Sequence, residues 1–258
     1  AQAAKESWRA HSENAAAKLV NYDASLLAEE SPAFWSKVGW SDEKLCSEAV
    51  PVDWKAKKLG NFDCEVMATI FRKLDGPASL RVLFLSSNAI GDEGIMALAD
   101  ATAFGALVNL EKLYVNNNQI GDLGLAEFCG AMAEGRLAKM IFLDLNSNRI
   151  SDAGMSALAK ANTSPAMSNL TTLYLHCNRI GDAGLVAFTT ALLSSVALEK
   201  LEKLWLYNNR IGNVGMQTLS DALSQGVLPS LKSLQLEGNS ASNAVQQTTM
   251  KTFKSRMQ

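Results

Sequence analysis

Histidine is nearly missing from this chain, with only His11 and His176 in 258 residues. The two stand in unrelated contexts. His176 precedes Cys177, but a nucleophile needs a positioned base and an oxyanion site, and no motif supplies either. No G-x-x-x-x-G-K-[ST] phosphate loop occurs. The expectation is a chain without catalytic residues, cofactor or metal. Cysteine is also scarce: Cys46, Cys64, Cys129 and Cys177 are widely scattered and form no C-x-x-C pair. Reduced, partly buried thiols are the plain reading; disulfides or a zinc site are the alternatives. Net charge is only -2, with a pI of about 5.8, so the totals make no electrostatic case for nucleic acid. Apolar runs fall well short of the roughly 20 residues of a membrane span. The chain thus has no transmembrane segment of its own, though a partner assembly could be membrane-bound. Ala1 to Val20 is broken by Lys5, Glu6, Arg9, His11 and Glu13, which excludes a signal-peptide pattern there. The chain opens on Ala rather than Met. Removal of Met, cleavage of a targeting peptide or an artificial boundary would each explain that. An intracellular location, cytoplasm or organelle, is expected.

What the sequence has in abundance is itself. LRVLFLSSNAIGDEG begins at Leu80, LEKLYVNNNQIGDLG at Leu110, MIFLDLNSNRISDAG at Met140, LTTLYLHCNRIGDAG at Leu170, LEKLWLYNNRIGNVG at Leu201 and LKSLQLEGN at Leu231. The shared asparagines Asn88, Asn118, Asn148, Asn178, Asn209 and Asn239 are spaced by 30, 30, 30, 31 and 30 residues. A period of this length signals a stacked array of supersecondary units.

The signature L-x-x-L-x-L-x-x-N-x-I-G-D-x-G followed by a helical segment resembles the leucine-rich repeat family, in its long ribonuclease-inhibitor-like subtype. That pattern is also found in the Ran GTPase-activating protein and the NOD-like receptors. The resemblance covers Leu80 to Asn239. It implies an α/β fold: a curved solenoid with parallel strands on the concave side and helices on the convex side. The L-x-L core then reads as a strand, and the Asn column satisfies backbone groups at the strand exit. In the Ile-Gly-Asp turn, Gly is expected to supply positive φ and Asp to cap the helix that follows. Ser151 replaces Gly and Asn213 replaces Asp in two copies. Helical spacing appears in Ile95, Leu98 and Ala99, and again in Leu185, Phe188 and Leu192. Lys57 to Gly76 reads as a worn repeat, with Leu59-Gly60-Asn61 in the place of Ile-Gly-Asp. The last copy has lost that turn. Asn243 to Met257 reads as a polar capping helix with Lys251, Lys254 and Arg256 toward its end. The expected division is a Trp-rich helical extension over 1–51, the solenoid over 52–239 and the capping helix over 240–258.

The extension has no repeat. Residues 3–20 read as a helix, Ser31-Pro32 as the start of a short one, and Ser41 as a cap for another. Four of the five tryptophans, Trp8, Trp35, Trp40 and Trp54, lie in the first 54 residues. They either pack on the exposed first repeat as a cap or serve as anchors of an arm that docks on another protein. Trp54, beside the worn repeat, fits the cap; Trp8, farthest from it, fits the arm.

Alternation along the strands places one column of outward residues per position. The column between the core leucines is Phe84, Tyr114, Asp144, Tyr174, Trp205 and Gln235. The column two residues later is Ser86, Asn116, Asn146, His176, Tyr207 and Glu237. The one before is Val82, Lys112, Phe142, Thr172, Lys203 and Ser233. Phe84, Tyr114, Phe142, Tyr174, His176, Trp205, Tyr207 and Lys203 are therefore the candidate binding residues on this face, with Trp8, Trp35 and Trp40 on the arm. Stacked strand aromatics also stabilise a sheet without binding anything. After the Asn column comes a ladder of Arg149, Arg179 and Arg210, with Asp152 and Asp182 three residues on. It reads as local ion pairing, or as a basic edge for an acidic partner. Asn162-Thr163-Ser164 and Asn169-Leu170-Thr171 match the glycosylation sequon.

The resulting expectation is a non-enzymatic protein-binding module. It acts as an accessory subunit of a larger assembly, for example a photosynthetic or respiratory complex in an organelle. The alternatives are a free-standing adaptor, or a small-GTPase regulator resembling the Ran GTPase-activating protein. Against the last, this chain ends in the basic KTFKSRMQ, where that family carries an acidic tail.

Overall fold

The computed structural model describes residues 24–41, 45, 51–73, 80–162, 164–194 and 198–256. The chain divides into two compact units, Ala1–Ser41 and Asp42–Gln258. In the first, helix α1 runs from Ala24 to Val38 and contains Pro32. The sequence reading started a helix at Ser31-Pro32. Instead, the helix-forming run Leu26 to Glu30 carries one helix through the proline.

The second unit is a seven-stranded parallel sheet in the order β1-β2-β3-β4-β5-β6-β7. The strands are Val52–Asp53, Val82–Phe84, Lys112–Tyr114, Phe142–Asp144, Thr172–Tyr174, Lys203–Trp205 and Ser233–Gln235. Each strand but the last leads by a turn to a helix, and that helix to the next strand. The helices are α2 (Asn61–Lys73), α3 (Asp92–Thr102), α4 (Asp122–Ala133), α5 (Asp152–Ala161), the short α6 (Pro165–Ser168), α7 (Asp182–Ser194) and α8 (Asn213–Ser224). After β7 the chain ends in α9 (Asn243–Ser255), capped by the Ser242 hydroxyl. Successive long helices pack side by side from α2 to α9.

The core lies between the two layers. The central strand leucines Leu83, Leu113, Leu143, Leu173, Leu204 and Leu234 point toward the helices and are buried. Burying each such side chain is worth about 1.5–3 kcal/mol. Leu85, Val115, Leu145, Leu175, Leu206 and Leu236 form the next buried row, and Ile90, Ile120, Ile150, Ile180 and Ile211 the one after. Trp54 is fully buried, its ring stacked on Phe71 of α2 with centroids 6.3 Å apart.

Two polar ladders bolt the repeats together, running in opposite directions. Asn148 Oδ1 accepts the Ile120 N–H of the preceding repeat at 3.0 Å. Its Nδ2 donates to the Val115 and Leu145 carbonyls. Asn118, Asn178, Asn209 and Asn239 repeat this arrangement. Asn88 extends it to the first repeat by accepting the Leu59 N–H. The second ladder corrects the sequence reading. The turn Asp does not cap its own helix. Asp152 Oδ1 accepts the Gly181 and Gly184 N–H groups at 2.6 and 2.9 Å, at the start of the next repeat's helix. Asp122 and Asp182 do the same. Asn61 and Asn213 each supply one such bond.

The role of the turn glycines changes accordingly. Gly91, Gly121 and Gly212 have φ of -104°, -106° and -92°, so positive φ is not what selects them. Close approach is. A Cβ on Gly184 would sit 2.6 Å from Asp152 Oδ1 and 2.8 Å from Asp152 Cα. The positive-φ corner falls one residue before each Asn, at Ser87, Asn117, Ser147, Cys177 and Asn208.

Candidate functional site

Because the middle residue of each strand enters the core, its neighbours project from the opposite, concave face. The parallel register sets Phe84, Tyr114, Asp144, Tyr174, Trp205 and Gln235 side by side, with Asp53 at the head of the row. Phe84 stacks on Tyr114 with centroids 4.4 Å apart. Asp144 interrupts the row, and Phe142 of the adjacent column bridges the gap. Its ring lies 4.5 Å from Tyr114 and 5.4 Å edge-on to Tyr174. Tyr174 then stacks on Trp205 at 4.0 Å and 12°. Five rings thus form one continuous ladder across β2 to β6, each half-buried. His176 stacks on Tyr207 at 4.2 Å and 15°, and both approach Trp205. Trp205 Nε1 donates to Ser233 Oγ.

The polar groups among these rings are held in place. Asp144 is buried, and its carboxylate accepts the backbone N–H and the side-chain amide of Asn146. Burial raises its pKa, with the Asn146 bonds opposing. The Tyr114 and Tyr174 hydroxyls are pushed up too, chiefly by burial and next by the Asp144 carboxylate, and so remain protonated. His176 is 7% exposed and its Nδ1 has no hydrogen-bond partner among the described residues. Burial depresses its pKa, so the ring is neutral near pH 7.

The structure brings Phe84, Tyr114, Phe142, Tyr174, His176, Trp205 and Tyr207 onto one face, with Lys203 exposed on its flank. Trp35 and Trp40 belong to the other compact unit, where Trp35 lies edge-on to Phe34 at 5.2 Å. Trp8 lies outside the described residues. Two contributors escaped the sequence reading. Lys55 places its ammonium 4.2 Å from the Phe84 ring centroid, and Asp53 pairs with it at 3.5 Å. Asp53 ends, and Lys55 follows, a strand of two residues, Val52–Asp53, which lacks any L-x-L signal.

The ion-pair reading of the arginine ladder is also corrected. Arg149, Arg179 and Arg210 are exposed. Arg149 donates to Gln119 Oε1. Among the described residues none of the three pairs with an Asp, because Asp152 and Asp182 are committed to backbone N–H groups of the next repeat. The sequons are spent on structure as well. Asn162 is fully buried. The Asn169 amide donates to Ala138 O and accepts from Lys200 Nζ.

Cys64 and Cys129 are buried thiols, Cys177 is half-buried, and Cys46 lies outside the described residues. Burial pushes the Cys129 thiol well above its ordinary pKa. Among the described residues, no three His, Cys, Asp or Glu side chains converge as a metal site would need. In the same residues no helix is long and apolar enough to cross a membrane.

Comparison with known proteins agrees with the repeat geometry. The family pattern described as Leucine Rich repeats (2 copies) matches residues 78–127, and that described as Leucine Rich repeat matches 138–159 and 166–188. No curated protein matches. Among solved structures, an internalin from Listeria monocytogenes is 21% identical over 71% of this chain and 48% of its own, with a TM-score of 0.44. Pollen Receptor Kinase 3 is 18% identical over 66% of this chain and 65% of its own, with a TM-score of 0.34. A plant ice-binding protein is 18% identical over 67% of this chain and 52% of its own, with a TM-score of 0.37. The chain thus spans about half the length of the internalin. The matched spans and the parallel strand-turn-helix units show leucine-rich repeats within residues 78–127, 138–159 and 166–188 of this chain.

Proposed function

We propose that this protein is a non-enzymatic module that holds a protein partner on the aromatic ladder of its concave face, as an accessory subunit of a larger assembly. Leucine-rich repeats generally serve protein–protein interaction. The observation that carries the reading is the ladder Phe84–Tyr114–Phe142–Tyr174–Trp205, which continues unbroken across five strands and is half-open to solvent. Tyr and Trp bury large area at low entropy cost and dominate interface energetics. The rings are already fixed against one another, so a partner meets a preorganised surface and little side-chain freedom is lost on binding. Six strands at about 5 Å apiece give a groove about 25 Å long. That suits an interface of about 800 Å² per partner.

The test is capture from native extract, cytosolic or organellar, with two baits. One is the wild-type chain. The other carries Tyr114→Ala, Tyr174→Ala and Trp205→Ala, and is shown by circular dichroism to be folded. A partner retained by the wild type and lost by the variant supports the reading. Equal capture by both baits overturns it. An accessory subunit also elutes from extract with a large complex, where an adaptor elutes near its own mass.

A further inference from the structure

We propose that the partner's docking segment is acidic and extended, and that it lies across the repeats with its carboxylates on the arginine ladder beside the aromatic strip. This rests on the concave-face reading above and specifies the chemistry of the ligand.

Three observations lead there. The first is rigidity of placement. Arg149, Arg179 and Arg210 occupy one position in three successive repeats, and their backbone N–H groups are tied to Ile120 O, Ile150 O and Ile180 O at 2.7–2.8 Å. The second is the lack of internal neutralisation. Asp152 and Asp182, the carboxylates nearest in sequence, are spent on the next repeat's backbone. Arg149 has a neutral partner in Gln119, while the Arg179 and Arg210 guanidiniums make no hydrogen bond or ion pair among the described residues. The third is the charge of the adjoining face. Lys112 and Lys203 project from it without an ion pair among the described residues, whereas Asp144 is buried and bonded to Asn146, Asp53 pairs with Lys55, and Glu237 stands only at the last repeat. The surface is therefore locally basic on a chain whose net charge is -2.

Spacing favours an extended segment. Arg149 and Arg210 are two repeats apart, or about 10 Å, the length of three extended residues. Carboxylates two or four residues apart share one face of an extended chain, about 7 or 13 Å apart, and the long flexible guanidiniums take up the difference. Guanidinium–carboxylate pairs are charge-assisted and directional. A nucleic acid fits less well. The rings pack on one another, which leaves fewer free faces for bases to stack on than separate platforms would.

A displayed library of random 12-residue peptides, selected on the immobilised full chain, tests this without assuming a ligand. Three baits are compared: wild type, the Arg149→Gln/Arg179→Gln/Arg210→Gln variant, and the Tyr114→Ala/Tyr174→Ala/Trp205→Ala variant, each confirmed folded by its thermal melt. The expected result is a wild-type pool enriched at least twofold in Asp and Glu over the input. Its members should lose tenfold or more in affinity on the arginine variant and weaken between 50 and 300 mM salt. A neutral or basic pool, or an acidic pool that binds the arginine variant as well as wild type, overturns the proposal. A random single-stranded DNA that outcompetes the selected peptides also overturns it. Peptides lost on the aromatic variant but kept on the arginine variant leave the concave-face reading standing while sinking this one. Failure to enrich any peptide above a bare support counts against both.

Discussion

Asp182 reaches out of its own repeat to accept the backbone N–H of Gly212, at 2.7 Å, and through the same oxygen that of Gly215, at 2.8 Å. The helix α8 is thereby capped by a carboxylate that belongs to the repeat before it. The helix dipole adds to the effect, because a negative charge sits at its positive end.

That contact predicts an unequal pair of substitutions. Asp182→Ala removes the one oxygen that accepts two N–H groups at the start of α8 and should cost about 1–2 kcal/mol, as other N-cap losses do. Asn213→Ala removes a single neutral bond to Ser242 N and should cost less than half as much. Urea unfolding followed by circular dichroism measures both. Equal losses would show that the carboxylate charge and the second bond contribute nothing.

Two glycines should respond to alanine with opposite signs. A methyl on Gly184 meets Asp152 Oδ1 and Cα, so Gly184→Ala should destabilise by about 1–3 kcal/mol through overpacking. Gly130 lies within α4 and would have nothing within 4 Å of an added Cβ. Gly130→Ala should therefore stabilise by about 0.5–1 kcal/mol. Thermal melts of the two variants decide the matter, and a shift of the same sign in both would refute the close-approach account.

His176 predicts a pH dependence. Its folded pKa lies below the ordinary 6.5 because burial disfavours the imidazolium. The unfolded chain therefore binds the proton more readily. This group's contribution is at its most favourable above pH 6.5 and falls as pH drops through and below that value. His176→Phe keeps a ring on Tyr207 and removes the titration. Its stability should stay flatter than wild type between pH 7.5 and 5.5, measured by denaturant midpoint at each pH. Parallel curves would remove His176 as the cause. Asp144 acts in the other direction: its folded pKa is raised, so stability gains as pH falls toward its unfolded value.

The stack of Tyr174 on Trp205 should register as a coupling. A double-mutant cycle with Tyr174→Ala and Trp205→Ala is expected to give about 0.5–1.5 kcal/mol of interaction free energy, as for other stacked aromatic pairs. Additive losses would mean that the two rings pack independently on the sheet.

The sequence made the array legible because each repeat restates the same demands: leucines for the core, Asn for the strand exit, Ile-Gly-Asp for the turn. Alternation then placed Tyr114, Tyr174 and Trp205 on one face, where the register sets them in one row with Asp144 between the two tyrosines. Three things were hidden. The target of Asp152 lies 29 residues away, at Gly181, and a motif read within one repeat naturally assigned it to its own helix. The glycine requirement came from that approaching carboxylate rather than from φ, and one-dimensional reading does not show a steric partner. The first strand, Val52–Asp53, carries neither leucine of the pattern, so Lys55 and its contact with Phe84 had no signal. The proline in α1 was read as a helix start because the same residue serves both roles.

The two polar ladders also order events in time. Ile120 waits for an acceptor that lies 28 residues downstream, at Asn148. Gly181 waits for nothing, since Asp152 has already been made. On a ribosome, each newly emerged unit therefore finds its helix start prepared by its predecessor but keeps its strand exit unsatisfied until its successor arrives. Maturation of the nascent chain should trail synthesis by one repeat throughout, and a ribosome stalled within the array should hold a folded stem behind a single unfinished end.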